Sequence, residues 1–222
     1  MKNQIYNCER PCENTKPVSK TKFIVLTGGP GAGKTAVLEF VRKLLCERVA
    51  ILPEAASILF GGGFWRLESA SAKKSAQKAI YHVQNEIQNL VIDEKKWSVG
   101  LCDRGTLDGS AYWPNSGSTF FEALNTSRSS EYEKYEAIIH LVSPDLEHGY
   151  NHQNPIRTET AEVAAQIDKK IFLSWKDHPN YNVIDSTTNF MEKIDKAVKR
   201  LKLLLPVCCE IPEAEQNENR IF

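Results

Sequence analysis

No apolar stretch in the 222-residue sequence approaches the roughly 20 residues a membrane helix needs. A membrane span is therefore not expected. Charge of one sign is also missing: 28 Lys and Arg balance 28 Asp and Glu, which gives no basis for general affinity for nucleic acid or acidic lipid. Six cysteines in this length are too sparse for a disulfide scaffold. Met1 to Lys20 is polar and lacks the apolar core of a secretory signal, so the expected compartment is the cytoplasm. Internal repeats and low-complexity tracts are absent. What remains is ordinary globular composition, 41% hydrophobic and 25% charged, in a length that suits one α/β domain.

The most informative stretch is Gly28-Gly29-Pro30-Gly31-Ala32-Gly33-Lys34-Thr35, which satisfies G-x-x-x-x-G-K-[ST] at every fixed position. Before it, Lys22 to Thr27 is a short apolar run with β-branched residues, as in a buried parallel strand. After it, Val37, Leu38, Val41, Leu44 and Leu45 recur at helical spacing. Strand, glycine loop and helix together make a phosphate loop, in which backbone N–H groups converge on phosphate at a helix N-terminus. Lys34 would reach the β- and γ-phosphates, and the Thr35 hydroxyl would ligate Mg²⁺. The same residues from Gly31 to Ala36 fit the looser dinucleotide pattern G-x-G-x-x-[GA], with Glu54 downstream. That pattern leaves Lys34 and Thr35 unexplained, and the phosphate loop is the preferred reading.

Four more apolar runs read as strands: Val49 to Leu52, Ser98 to Cys102, Ala137 to Val142 and Asn182 to Ile184. Helical spacing joins Ala76, Ile80, Val83, Ile87 and Leu90, then Val163, Ile167, Ile171 and Trp175, then Phe190, Ile194, Val198 and Leu201. The expected fold is a P-loop α/β domain of the nucleotide-kinase kind, a five-stranded parallel sheet with helices on both faces. It should occupy residues 21–205, between a flexible leader (1–20) and a flexible tail (206–222). Gly109 to Ser130 gives no clear element. Cys46 and Cys102 fall on apolar elements and should be buried thiols. Cys8 with Cys12, and Cys208 with Cys209, could ligate metal from the two tails. Ligands of such sheets bind beyond the carboxyl ends of the strands, where Thr27, Glu54 and Asp103 all fall.

Asp103-Arg104-Gly105 through Tyr112 resembles the D-R-Y-x-x-S-x-x-A-Y segment of thymidylate kinases, with Gly105 and Asp108 at the Tyr and Ser positions. Pro53-Glu54 resembles the acidic end of the second strand in thymidylate and deoxynucleoside kinases, with the usual Glu-Pro order reversed. Thr27 to Thr35, Pro53 to Ala56, Cys102 to Asp108 and Asn154 to Glu159 together are similar to another P-loop family. This is the AAA-domain-like ATPases related to the TRPL translocation defect protein and to nicotinamide-riboside-kinase-like proteins. The resemblance implies ATP or GTP with Mg²⁺, and Lys34, Glu54, Asp103, Arg104 and Arg157 as the catalytic set. Asp103 would hold the metal opposite Thr35, Arg104 would clamp oxygens of the acceptor or phosphate, and Glu54 would serve as base for an acceptor hydroxyl. Arg157 lies in a His148 to Arg157 loop of the kind that forms a lid, and His148 and His152 read as polar loop residues. No N-K-x-D guanine signal is present to favour GTP. Asp185 to Asn189, after the fifth strand, is a candidate base-contacting loop.

Two functions remain open. One is phosphoryl transfer from the triphosphate to an unidentified small-molecule acceptor, or hydrolysis, with the acceptor between Glu54, Arg104 and the Gly61 to Arg66 loop. The other is a nucleotide-dependent switch that binds a protein partner. A third, oxidoreduction with a dinucleotide, is disfavoured by Lys34-Thr35.

Lys34→Ala is expected to leave the fold intact and weaken triphosphate binding by about 2–3 kcal/mol or more. Thermal-shift measurements with ATP·Mg²⁺ and GTP·Mg²⁺ check this, and equal stabilisation of mutant and parent would overturn the phosphate-loop reading.

Overall fold

Along Lys22–Thr27 (β1), Phe23 and Val25 enter one core and Ile24 and Leu26 the other, which is the two-residue period of a strand buried on both faces. The computed structural model describes residues 18–143, 161–186 and 189–205. Four further strands, Val49–Leu52 (β2), Val99–Asp103 (β3), Tyr135–Leu141 (β4) and Tyr181–Ile184 (β5), complete one sheet in the order β2-β3-β1-β4-β5. Every pairing is parallel. The expected α/β architecture is therefore present.

Helices cover both faces. Lys34–Arg42 (α1) and Phe190–Leu204 (α7) bury Val37, Leu38, Val41, Ile194, Ala197, Val198 and Leu201 against one side. On the other side lie Ala70–Glu94 (α3), a 3-10 segment Thr106–Tyr112 and Ala161–Trp175 (α6), with Tyr81, Leu107, Ile171 and Trp175 in the core. Ala55–Gly61 (α2) follows β2 directly, so the first residue of the Gly61 to Gly63 run closes a helix. In the stretch without a clear element, Phe120–Leu124 (α4) and Arg128–Tyr132 (α5) each begin with a capping box, Thr119 with Glu122 and Ser127 with Ser130. Cys46 and Cys102 are both buried, and neither is in a disulfide.

Two helical faces differ from the sequence pattern. On α3 the buried face runs through Ala76, Tyr81, Gln84, Gln88 and Val91, while Leu90 is exposed. The turn of the helix is set by amides that satisfy buried oxygens: Gln84 donates to the Arg104 carbonyl and Gln88 to the Tyr135 hydroxyl. On α6, Val163 faces solvent, and the buried stripe is Ala164, Asp168, Ile171 and Trp175.

Glu131 on α5 anchors the 3-10 segment that carries the candidate site. Its fully buried carboxylate accepts from Tyr81 Oη, Thr126 Oγ1, Thr106 Oγ1 and Lys134 Nζ at 2.6–2.8 Å. Burial pushes this carboxyl up, but the bonds from Lys134, Thr106, Thr126 and Tyr81 outweigh it and hold it below the ordinary range. With the folded pKa below the unfolded one, the stabilisation is complete above the usual Glu value of about 4.3 and lost as pH falls through the folded value. Glu131→Gln is expected to cost about 1–3 kcal/mol near neutral pH and to flatten the acid limb of a stability-versus-pH curve measured by urea unfolding.

Candidate functional site

The chain leaves β1 through Gly28, whose φ of 136° lies in the region glycine tolerates. A Cβ there would stand 2.1 Å from the Leu141 carbonyl oxygen, so only glycine lets the loop pass this close to the end of β4. Gly31 and Gly33 also have positive φ, at 82° and 96°, and α1 begins at Lys34. No side chain caps the N-terminus of α1, which leaves its first amides free to face an anion. Thr35 is exposed on this first turn. Pro30 and Ala32 are buried in the loop.

Lys34 is buried and donates through Nζ to the carbonyls of Gly28 and Gly29 at 2.8 and 2.9 Å. Burial first, and the charge of Arg104 second, lower its pKa to about 8, against the pull of Asp103, Glu54 and Asp108.

Sheet register brings the other strand ends beside this loop. Leu26 pairs with Asp103, and the Arg104 amide donates to the Leu26 carbonyl at 3.0 Å. Leu52 pairs with Cys102, which sets Glu54 beyond the end of the neighbouring strand. Arg104 Nε donates to Glu54 Oε1 at 2.5 Å, while Nη1 donates to the Gly28 carbonyl at 3.2 Å and to Asp108 Oδ2 at 3.4 Å. Burial works against the Arg104 charge, but Tyr112, Glu54, Asp108 and Asp103 raise its pKa well above the ordinary value. Burial alone would push Glu54 up, yet Arg104, the Ser57 hydroxyl at 2.5 Å and the Lys34 charge hold it at about 2. Arg104 carries φ 76°, a strained backbone for a residue with a side chain, and these four contacts keep it there.

Asp103 is the least satisfied group. Its Oδ1 is buried without a hydrogen-bond partner. Burial, helped by the charges of Glu54 and Asp108 and opposed by Lys34 and Arg104, raises its pKa to about 6. An orphaned carboxylate oxygen of this kind suits a hard cation.

Asp108 belongs to the same constellation, although in the sequence it marked only the end of a motif. It is buried, accepts from Thr27 Oγ1 at 2.6 Å on Oδ2 and from Trp175 Nε1 at 2.7 Å on Oδ1. The Trp175 ring also explains Gly105. A Cβ at 105 would lie 2.4 Å from Cζ2 of that indole, so the space beside residue 105 is taken by α6. Lys34, Glu54, Asp103 and Arg104 are thus gathered at one lip of the sheet. The Gly61 to Arg66 loop continues α2 from Glu54 and bears an apolar pocket of about 380 Å³ lined by Gly63, Phe64, Trp65, Leu67, Ala72 and Ser75. Arg157, His148, His152, the Asn154 to Glu159 block, residues 187 and 188, and the cysteines at 8, 12, 208 and 209 lie outside the described residues.

The loop, the helix behind it and the strand ends beside it define a P-loop α/β domain of the kinase-like kind. The chain belongs to the AAA domain family, whose model matches residues 23–193. Among solved structures it is similar to the thymidylate kinase from Candida albicans, with a TM-score of 0.59 and 13% identity. That match covers 83% of this chain and 92% of that one, and it shows the shared fold. No curated protein matches the sequence. Among the described residues, no helix is long and apolar enough to cross a membrane.

Because Asp103 binds its proton more tightly folded than unfolded, its ionisation costs stability progressively from about pH 4 to about pH 6. Asp103→Asn is expected to stabilise the ligand-free protein by about 1–3 kcal/mol at pH 8, with the gain shrinking toward zero near pH 4. Melting curves across that range check the sign.

Proposed function

We propose that this chain is a Mg²⁺-dependent kinase that transfers the γ-phosphoryl group of ATP or GTP to the hydroxyl or phosphate of a small molecule. The observation that carries the reading is Arg104, a guanidinium held against the Gly28 carbonyl by Glu54 and Asp108 at the lip of the phosphate loop. Phosphoryl transfer asks mainly for fixed positive charge where the equatorial oxygens gather charge.

Lys34 binds the β- and γ-phosphates by exchanging its two loop carbonyls for phosphate oxygens. The Thr35 hydroxyl and Asp103 would hold Mg²⁺, which neutralises the phosphate charge when bound. The acceptor sits between Glu54, Arg104 and the Gly61 to Arg66 loop. A carboxyl at about pKa 2 is a weak base, so Glu54 orients the acceptor hydroxyl and accepts its proton only late. A loose transition state tolerates this, because the hydroxyl loses its proton after the phosphoryl group has largely departed. Arg157, as the resemblance implies, would complete the charge on the transferring group, and the protein acts without nucleic acid.

ATP turnover should be slow alone and rise sharply with the right acceptor. Glu54→Gln is expected to lower the stimulated rate by about 10²-fold while nearly sparing triphosphate affinity, and Arg157→Ala to remove most of the stimulation. A radiolabelled ATP screen over nucleosides, nucleotides and vitamins measures both. No stimulation by any acceptor, alongside a protein retained only by the triphosphate-bound form, would overturn the kinase in favour of the switch.

A further inference from the structure

On its buried stripe α6 carries a carboxylate where an apolar side chain is the rule. Asp168 is 8% exposed, between Ala164 and Ile171. An ionised carboxylate survives burial only where hydrogen bonds replace its water. Asp168 has three such bonds. Oδ1 accepts from the Gly29 N–H at 2.5 Å and from His140 Nε2 at 3.0 Å, and Oδ2 accepts from the Ser143 N–H at 3.1 Å. Burial pushes its pKa up, but the bonds from His140, Gly29 and Ser143 outweigh this and lower it, which keeps the charge in place. Since a carboxylate only accepts, His140 carries a proton on Nε2.

Gly29 belongs to the phosphate loop, and the loop is held from the same direction a second time. Ser143 Oγ donates to the Pro30 carbonyl at 3.2 Å. The approach is so close that a Cβ on Gly29 would stand 2.6 Å from Ser143 Oγ and 2.8 Å from Asp168 Cβ.

We propose that Asp168 is a positioning residue for the phosphate loop: by holding the Gly29 N–H, it keeps the leading limb of the loop in its anion-accepting shape before a triphosphate arrives. A loop with Gly28, Gly31 and Gly33 at positive φ has many other conformations open to it, and ordering it costs entropy. Lys34 also holds this limb, through the carbonyls of Gly28 and Gly29, but its ammonium is the group a phosphate draws away. Asp168 belongs to α6 and Ser143 lies just beyond the end of β4, and neither is needed by the phosphates. They hold the loop when Lys34 lets go. The role rests on the reading of the loop as a triphosphate seat and adds to it the element that preorganises that seat.

The test combines calorimetric binding of ATP·Mg²⁺ and of tripolyphosphate·Mg²⁺ with hydrogen exchange at the Gly29 amide, followed by NMR in the ligand-free protein. Asp168→Ala is expected to weaken both ligands by the same factor, about tenfold or more, and to speed Gly29 exchange by at least as much. Asp168→Asn should recover part of both losses, because its amide oxygen still accepts from Gly29. Val198→Ala, a core truncation on α7, should lower the melting temperature yet leave tripolyphosphate affinity unchanged, which separates positioning from general stability. Affinities of Asp168→Ala within twofold of the parent overturn the proposal. So does a Gly29 amide that exchanges in the parent as fast as an exposed one, a result that needs no variant to fold. A parent protein that binds neither ligand, with Gly29 protected, sinks the triphosphate reading and this role with it.

Discussion

The site depends on the register of β1 between its two neighbours. Leu26 lies opposite Asp103 and Thr27 opposite His140, so three parallel strands end almost level. The Arg104 amide extends the ladder one step past β3 by donating to the Leu26 carbonyl. A slip of one residue in either pairing would exchange the side chains of the two cores, putting Phe23 and Val25 where Ile24 and Leu26 pack. The two cores that Phe23, Val25, Ile24 and Leu26 fill therefore also hold Asp103 and Arg104 beside the phosphate loop. Packing energy far from the chemistry fixes the geometry of the chemistry.

Within that frame the charges have unequal tasks. Glu54, through Oε1 alone, and Asp108 hold Arg104, whose guanidinium thereby loses its freedom before any ligand is present. Lys34 has carbonyl partners that are easily exchanged, and Asp103 has an oxygen with none. Fixed groups preorganise the site and exchangeable ones are left for the ligand. The positive φ of Arg104 costs on the order of 1–3 kcal/mol, which the neighbouring contacts must cover.

The strands and the phosphate loop were legible because each rests on local pattern: continuous apolar runs, and glycines at fixed offsets before Lys34 and Thr35. The buried face of α3 was not, since Gln84 and Gln88 are polar and their partners, the Arg104 carbonyl and the Tyr135 hydroxyl, are distant in sequence. The caps of α4 and α5 were local signals that a Ser- and Gly-rich stretch obscured, with Thr119-x-x-Glu122 the plainer of the two. Asp168 stands one step off the apolar stripe of Val163, Ile167, Ile171 and Trp175, where the helical pattern gives no reason to bury it. Its burial follows from Gly29, 139 positions earlier. Long-range polar satisfaction, more than hydrophobic pattern, is what the chain hides.

Two of the four tryptophans sit at opposite extremes of this arrangement. Trp65 is 78% exposed on the loop after α2, while Trp175 is fully buried with its indole N–H on Asp108. An indole in water and one in a dry core emit at different wavelengths and differ in access to quenchers such as iodide. The protein thus carries an intrinsic optical probe on each side of its candidate acceptor region. With Trp97 and Trp113 replaced by phenylalanine, red-edge emission follows the surface of the loop, and blue-edge emission follows the buried carboxylate that steadies Arg104. A molecule that covers the loop would shift the first and spare the second, so occupancy and distortion of the site can be told apart in unlabelled protein.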